Sequence, residues 1–192
     1  ITGDKRLEEP LKLAVQIILK AQQPDQGGWR YNPVPSDADT SVFGWEVMAL
    51  YSARKAGISV PQASFDLAGK WLDSAGTGEH GGLYGYQLKT EPTPAMTAEA
   101  MFIRQLLGAK PSDPRQQESA EFLVSLEGVD KKGKKGKQTN LPGPQAASNF
   151  YHWYYGALSM YQHQGDDWKT WNEAVRPLLL ARQTAEGDQA GM

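Results

Sequence analysis

QQPDQGGWRYNPVPSDADTSVFGWEVMAL, residues 22–50, carries a spacing that the rest of the chain repeats in whole or in part. An apolar run ends just before it at Ile17-Ile18-Leu19; three residues separate Leu19 from Gln23, three more separate Gln23 from Gly27, and one separates Gly27 from Trp29. Residues 7–21 upstream predict a helix, with Pro10 tolerable in the first turn. Lys12, Gln16 and Lys20 recur on one polar face, while Leu11, Leu13, Ala14, Val15, Ile17 and Ile18 form an apolar side. The stretch from Pro24 to Pro35 breaks this helix. Ser36-Asp37-Ala38-Asp39 then has the form of a capping box, and a second helix is expected to run to about Ala56. Between Thr40 and Leu50 its one charge is Glu46, so it is expected to be buried nearly all round.

The alternation returns along the chain. A polar-faced helix is expected at 65–74, followed by Gly81-Gly82-Leu83-Tyr84 where Gly27-Gly28-Trp29-Arg30 stood. Thr93-Pro94, a cap followed by proline in the first turn, opens an apolar helix to Leu107 whose charges are Glu99 and Arg104. Helices at 116–126, 149–162 and 171–183 continue the order one-sided, apolar, one-sided. Ala14, Ala68, Ala120 and Ala174 are separated by 54, 52 and 54 residues, and Ala49, Ala100 and Ala157 each lie eight residues before a glycine. The chain is therefore expected to be a single domain over 1–192, an all-α array of roughly 50-residue helical hairpins. Four polar-faced outer helices and three apolar inner ones make three and a half units.

The spacing from Ile17 through Gln23 and Gly27 to Trp29 resembles the QW motif of squalene and oxidosqualene cyclases. The resemblance implies an α/α toroid, the fold shared by terpenoid cyclases and protein prenyltransferase β subunits, in which each QW turn joins an outer helix to an inner one. Gln23 and Trp29 would then be scaffold. Asp37-Ala38-Asp39-Thr40-Ser41 resembles the D-x-D-D-T-A stretch of squalene-hopene-type cyclases, whose middle aspartate donates the initiating proton. Matching Thr40-Ser41 to Thr-Ala puts Ala38 on the donor and Ser36 on the first aspartate. A catalytic role for Asp39, with Asp37 as its partner, thus requires a deletion; the other role open to Asp39 is helix N-cap.

Phe43, Trp45, Phe102, Phe150, Tyr151, Trp153, Tyr154 and Tyr155 make the inner helices aromatic. Such rings serve a core or stabilise a cation. Trp45, Glu46, Tyr151, His152 and Tyr155 are the candidate ligand-binding set, and Tyr151, His152 and Tyr155 lie within one helical turn. Absence of cysteine removes disulfides and the zinc chemistry of prenyltransferases; with no metal-ligand spacing among His80, His152 and His163, no metal or cofactor is expected. A net charge of -2 argues against a nucleic-acid binder, and no apolar run is long enough to span a bilayer. Lys131, Lys132, Lys134, Lys135 and Lys137 form a basic insertion, a solvated loop or a steering patch.

Three functions stay open. The first is a non-catalytic repeat module of the prenyltransferase and squalene-oxidase-repeat type, resembling modules of multidomain bacterial proteins, which presents an aromatic concave face to an apolar small molecule or a neighbouring domain. The second is a class II terpenoid cyclase-like isomerase using Asp39; the third is a carbohydrate-binding or lyase-like arc. The expected partners are the remaining domains of a longer polypeptide or a second copy. The sequence leaves the compartment open.

Overall fold

Local capping chemistry sets where the helices begin. Asp39 accepts the Val42 N–H on Oδ1 at 2.9 Å and starts a helix at Thr40. Thr93 accepts from Met96 N–H ahead of Pro94, Asp113 from Arg115 N–H ahead of Pro114, and Asn149 from His152 N–H. In the computed structural model, which describes residues 3–33, 37–127, 139–143, 149–188 and 191, these caps open four of seven helices. After a 3-10 turn, Lys5–Leu7, the order is α1 (Glu8–Ala21), α2 (Thr40–Lys55), α3 (Gln62–Ala75), α4 (Pro94–Leu106), α5 (Pro114–Val124), α6 (Phe150–His163) and α7 (Gly165–Arg182). The described residues are thus all-α apart from a two-residue antiparallel ladder of β1 (Gly76–Thr77) with β2 (Leu83–Tyr84). The aspartate that was expected to close a capping box is itself the cap; Ser36, the basic insertion at 131–137 and Gln189 lie outside the described residues.

α4 is the centre. It packs against α2, α3, α5 and α6, and every residue from Met96 to Arg104 is buried. The flanking helices α1 and α7 pack on α2 and α6, and α7 also meets α5. α2 and α6 close over α4 from either side: the Tyr151 hydroxyl donates to Ser41 O at 3.3 Å, and the Trp45 ring meets those of Tyr154 and Tyr155. The N-termini of the apolar helices gather at one end, since Thr40 N–H donates to Tyr86 O just ahead of α4 while Tyr151 sits in the first turn of α6. Two expectations need correction here. α2 is not buried all round, because Trp45 and Ala49 form an exposed stripe; and the apolar side of α1 is largely open, Val15 being its one buried residue.

Successive hairpins interlock through their turns. Trp29 donates its indole N–H to Ile18 O at 2.8 Å, tying the turn to the last carbonyls of α1. Gln22, rather than the neighbouring Gln23, then reaches the next flanking helix: it donates to Ser64 O, and Ser64 Oγ donates back to it at 2.6 Å. Gln23 instead accepts from Asp25 and Gln26 N–H and shapes the turn itself. Gly27 has φ +85°, and a Cβ there would stand 2.0 Å from Leu67 O. The following turn repeats this with other chemistry. The Glu118 carboxylate of α5 accepts from the N–H groups of Glu79, His80 and Gly82, and Ser119 Oγ donates to Gly82 O. These two turns are thus each seated on the flanking helix of the next hairpin.

Candidate functional site

At the N-terminal end of α2 the two sequence-predicted carboxylates come together around one guanidinium. Arg30 Nη1 reaches Asp37 Oδ2 at 2.6 Å and Arg30 Nε reaches Asp39 Oδ2 at 3.2 Å. Asp39 is fully buried and Asp37 half exposed. The other oxygen of Asp39 accepts from Val42 N–H and from Ser41 Oγ, the latter at 2.7 Å. Every contact of the Asp39 carboxylate therefore uses it as an acceptor, the arrangement of a cap with a cationic partner.

A second carboxyl lies deeper. Glu99 projects from the buried stretch of α4 toward α2, where Gly44 makes room: a Cβ at that glycine would stand 2.0 Å from Glu99 Oε1. No cation pairs with it among the described residues, and its polar neighbours are the Tyr151 and Tyr155 hydroxyls. Burial pushes its pKa up to about 9, the Tyr151 and Tyr155 hydroxyls opposing the rise as donors and the charge of Asp39 adding to it. At neutral pH Glu99 is a neutral carboxylic acid holding a proton. The Tyr151 and Tyr155 hydroxyls are pushed up too, by burial first and by Glu99 second. Arg104, the other charge on α4, is satisfied by the Tyr84 hydroxyl at 2.5 Å and by Asp73.

Three of the five candidate ligand-binding residues, Trp45, Tyr151 and Tyr155, meet at the seam between α2 and α6. Trp45 is 50% exposed and lies nearly parallel to Tyr154, itself 45% exposed, with centroids 6.1 Å apart and an interplanar angle of 13°. Tyr155 backs this pair edge-on, 5.8 Å from Trp45 and 5.1 Å from Tyr154, and Tyr151 adjoins Tyr155 at 5.0 Å. Glu46 follows Trp45 on α2, partly buried, its pKa raised by that burial. His152 does not join them. It turns to the opposite side of α6, edge-on to Trp171 and with Nε2 3.0 Å from Asn140 O. Burial lowers its pKa, against the pull of the Asn140 and Pro94 carbonyls, so it is a neutral interior histidine.

Glu99 is the residue that sequence reasoning passed over as functional, while Tyr154 was read among the inner-helix rings and outside the ligand-binding set. Glu99 did leave a signal. An acid amid nine consecutive buried positions either finds a cation or gives up its charge. Among the described residues no cluster of His, Asp and Glu is placed to hold a metal ion, and no helix is long and apolar enough to cross a membrane. Comparison with protein-family models, curated proteins and solved structures found no significant match to this chain.

Proposed function

We propose that this chain is a non-catalytic repeat module, a segment of an α/α toroid of the squalene-cyclase and prenyltransferase type, that uses the aromatic seam between α2 and α6 to hold an apolar ligand or an apolar side chain of a neighbouring domain. Alternating flanking and central helices, central N-termini at one end and turns seated on the next hairpin support the toroid reading. The binding reading is carried by the half-exposed, nearly parallel Trp45 and Tyr154 rings over Tyr155. Large rings left open to water beside a buried aromatic floor are surface awaiting cover. The test is tryptophan fluorescence of the chain titrated with isoprenoid alcohols, and in parallel with soluble oligosaccharides. A saturable change with the isoprenoid that disappears in Trp45→Phe and weakens in Tyr154→Ala supports the reading. A response to oligosaccharides alone transfers it to the carbohydrate arc, and a response unaltered by both substitutions refutes it.

A second reading rests on Glu99. A terpenoid cyclase-like isomerase needs a protonated acid among aromatic rings, and Glu99 meets that description where Asp39, engaged by Arg30, Ser41 and Val42, does not. Product from a polyprenoid substrate, lost in Glu99→Gln and kept in Asp39→Asn, is its signature.

A further inference from the structure

We propose that the seam between α2 and α6 ends in a polar subsite formed by Tyr31, Ser41, Tyr86 and Tyr151, and that its ligand is an amphiphile with an apolar body and an uncharged hydroxyl head. The inference rests on the reading of the aromatic seam as a binding surface and names the class of ligand it takes. Ser41 stands one helical turn before Trp45 on α2, and Tyr151 one turn before Tyr155 on α6, about 6 Å nearer the N-terminal ends. Over that turn the seam changes character. At Trp45, Tyr154 and Tyr155 the rings meet one another by face and edge. One turn on, hydroxyls converge. The Tyr151 hydroxyl donates to Ser41 O at 3.3 Å, the Tyr31 hydroxyl lies 3.3 Å from Ser41 Oγ, and the Tyr86 hydroxyl meets both Tyr31 and Ser41. Thr40 fixes this corner, its N–H donating to Tyr86 O and its hydroxyl to Gly85 O. Ser41 is 9% exposed, whereas Tyr86 is 38% and Tyr31 74% exposed, so the hydroxyl cluster leads from the seam out to water.

The charges at this end decide which head fits. The Arg30 guanidinium is engaged by both Asp37 and Asp39, so one cation stands against two carboxylates and a phosphate would be repelled. An ammonium gains little either. The Asp39 carboxylate is fully buried with its oxygens turned to Ser41, Val42 and Arg30, Asp37 is paired to Arg30 at 2.6 Å, and Glu99 holds its proton at neutral pH. A hydroxyl matches what remains. Phenol and serine hydroxyls each donate and accept, so an alcohol can extend their chain with both of its own functions satisfied.

The test holds the hydrocarbon constant and changes the head: farnesol, farnesyl methyl ether, farnesyl phosphate and farnesylamine, each titrated against the whole chain by tryptophan fluorescence. A double variant, Tyr31→Phe with Tyr86→Phe, is titrated in parallel. It removes two hydroxyls at exposed positions and keeps the rings, and unchanged far-UV circular dichroism confirms that it folds. Wild type is expected to bind farnesol at least about tenfold more tightly than the phosphate or the amine. In the double variant farnesol should fall to the affinity of the ether, whose own binding stays as in wild type. Phosphate or amine binding as tightly as the alcohol overturns the inference, and so does a double variant that keeps the preference for farnesol. If all four bind alike, the seam reading stands and this inference alone fails. If none binds, the seam reading fails and takes the inference with it.

Discussion

Replacing Glu99 with glutamine removes a titration and leaves the shape over Gly44 almost unchanged. The folded-state pKa of about 9 lies above the ordinary value of 4.5. The native chain therefore keeps a proton that the unfolded chain releases. The stability associated with that proton is fully present below pH 4.5 and is lost as pH rises toward 9. Each pH unit between the two values is worth about 1.4 kcal/mol, so at pH 7 the loss is on the order of 3 kcal/mol. Glutamine cannot ionise in either state. Glu99→Gln should accordingly match wild type near about pH 5 and exceed it by roughly 3 kcal/mol at neutral pH. Urea unfolding of both proteins, followed by circular dichroism from about pH 5 to about pH 8.5, measures the difference with all other titrations cancelled. A difference that is flat with pH, or one that favours wild type as pH rises, would mean that Glu99 is ionised and paired, and would refute the reasoning.

Gly27→Ala meets both a positive φ and the Leu67 carbonyl, whereas Gly57→Ala meets φ +86° with nothing within 4 Å; thermal melts should show Gly57→Ala costing about 1 kcal/mol and Gly27→Ala at least twice that. Trp29→Phe loses the indole donor to Ile18 O and should cost about 1–2 kcal/mol, with faster amide exchange in the last turn of α1. His152 has a folded pKa below 6.5, so the native state binds fewer protons there; its contribution is present above that pH and is lost as pH falls below it. Its ring resonances should show no titration step near the ordinary histidine value, and a normal step would contradict its burial against Trp171.

Helix order and most helix ends were legible in the sequence because they depend on neighbours in the chain. Thr93-Pro94 and Asn149 cap where their chemistry places them, and the alanine register locates the flanking helices. What escaped depends on which residues meet across the fold. Gln22 and Gln23 are chemically identical, and only the position of Ser64 decides which one ties hairpins together. Tyr151 and His152 are neighbours in sequence, yet a rotation of about 100° per residue sends one toward α2 and the other toward Trp171. The solvent stripe on α2 was hidden because Trp45 is as apolar as the buried Phe43. For the site itself the sequence supplied the aromatic rings and the two aspartates. It did not reveal that Arg30 clasps both aspartates while Glu99 has no such partner.

The close approach of Gly44 to Glu99 also constrains the order in which this protein can change over generations. With the carboxyl in place, any side chain at position 44 collides with Oε1. A shorter residue at 99 must therefore come first, and a larger one at 44 can follow into the space released. The reverse order passes through an overpacked intermediate. Descendants of this chain should thus inherit the two positions as a linked pair, a residue larger than glycine at 44 being expected beside one shorter than glutamate at 99.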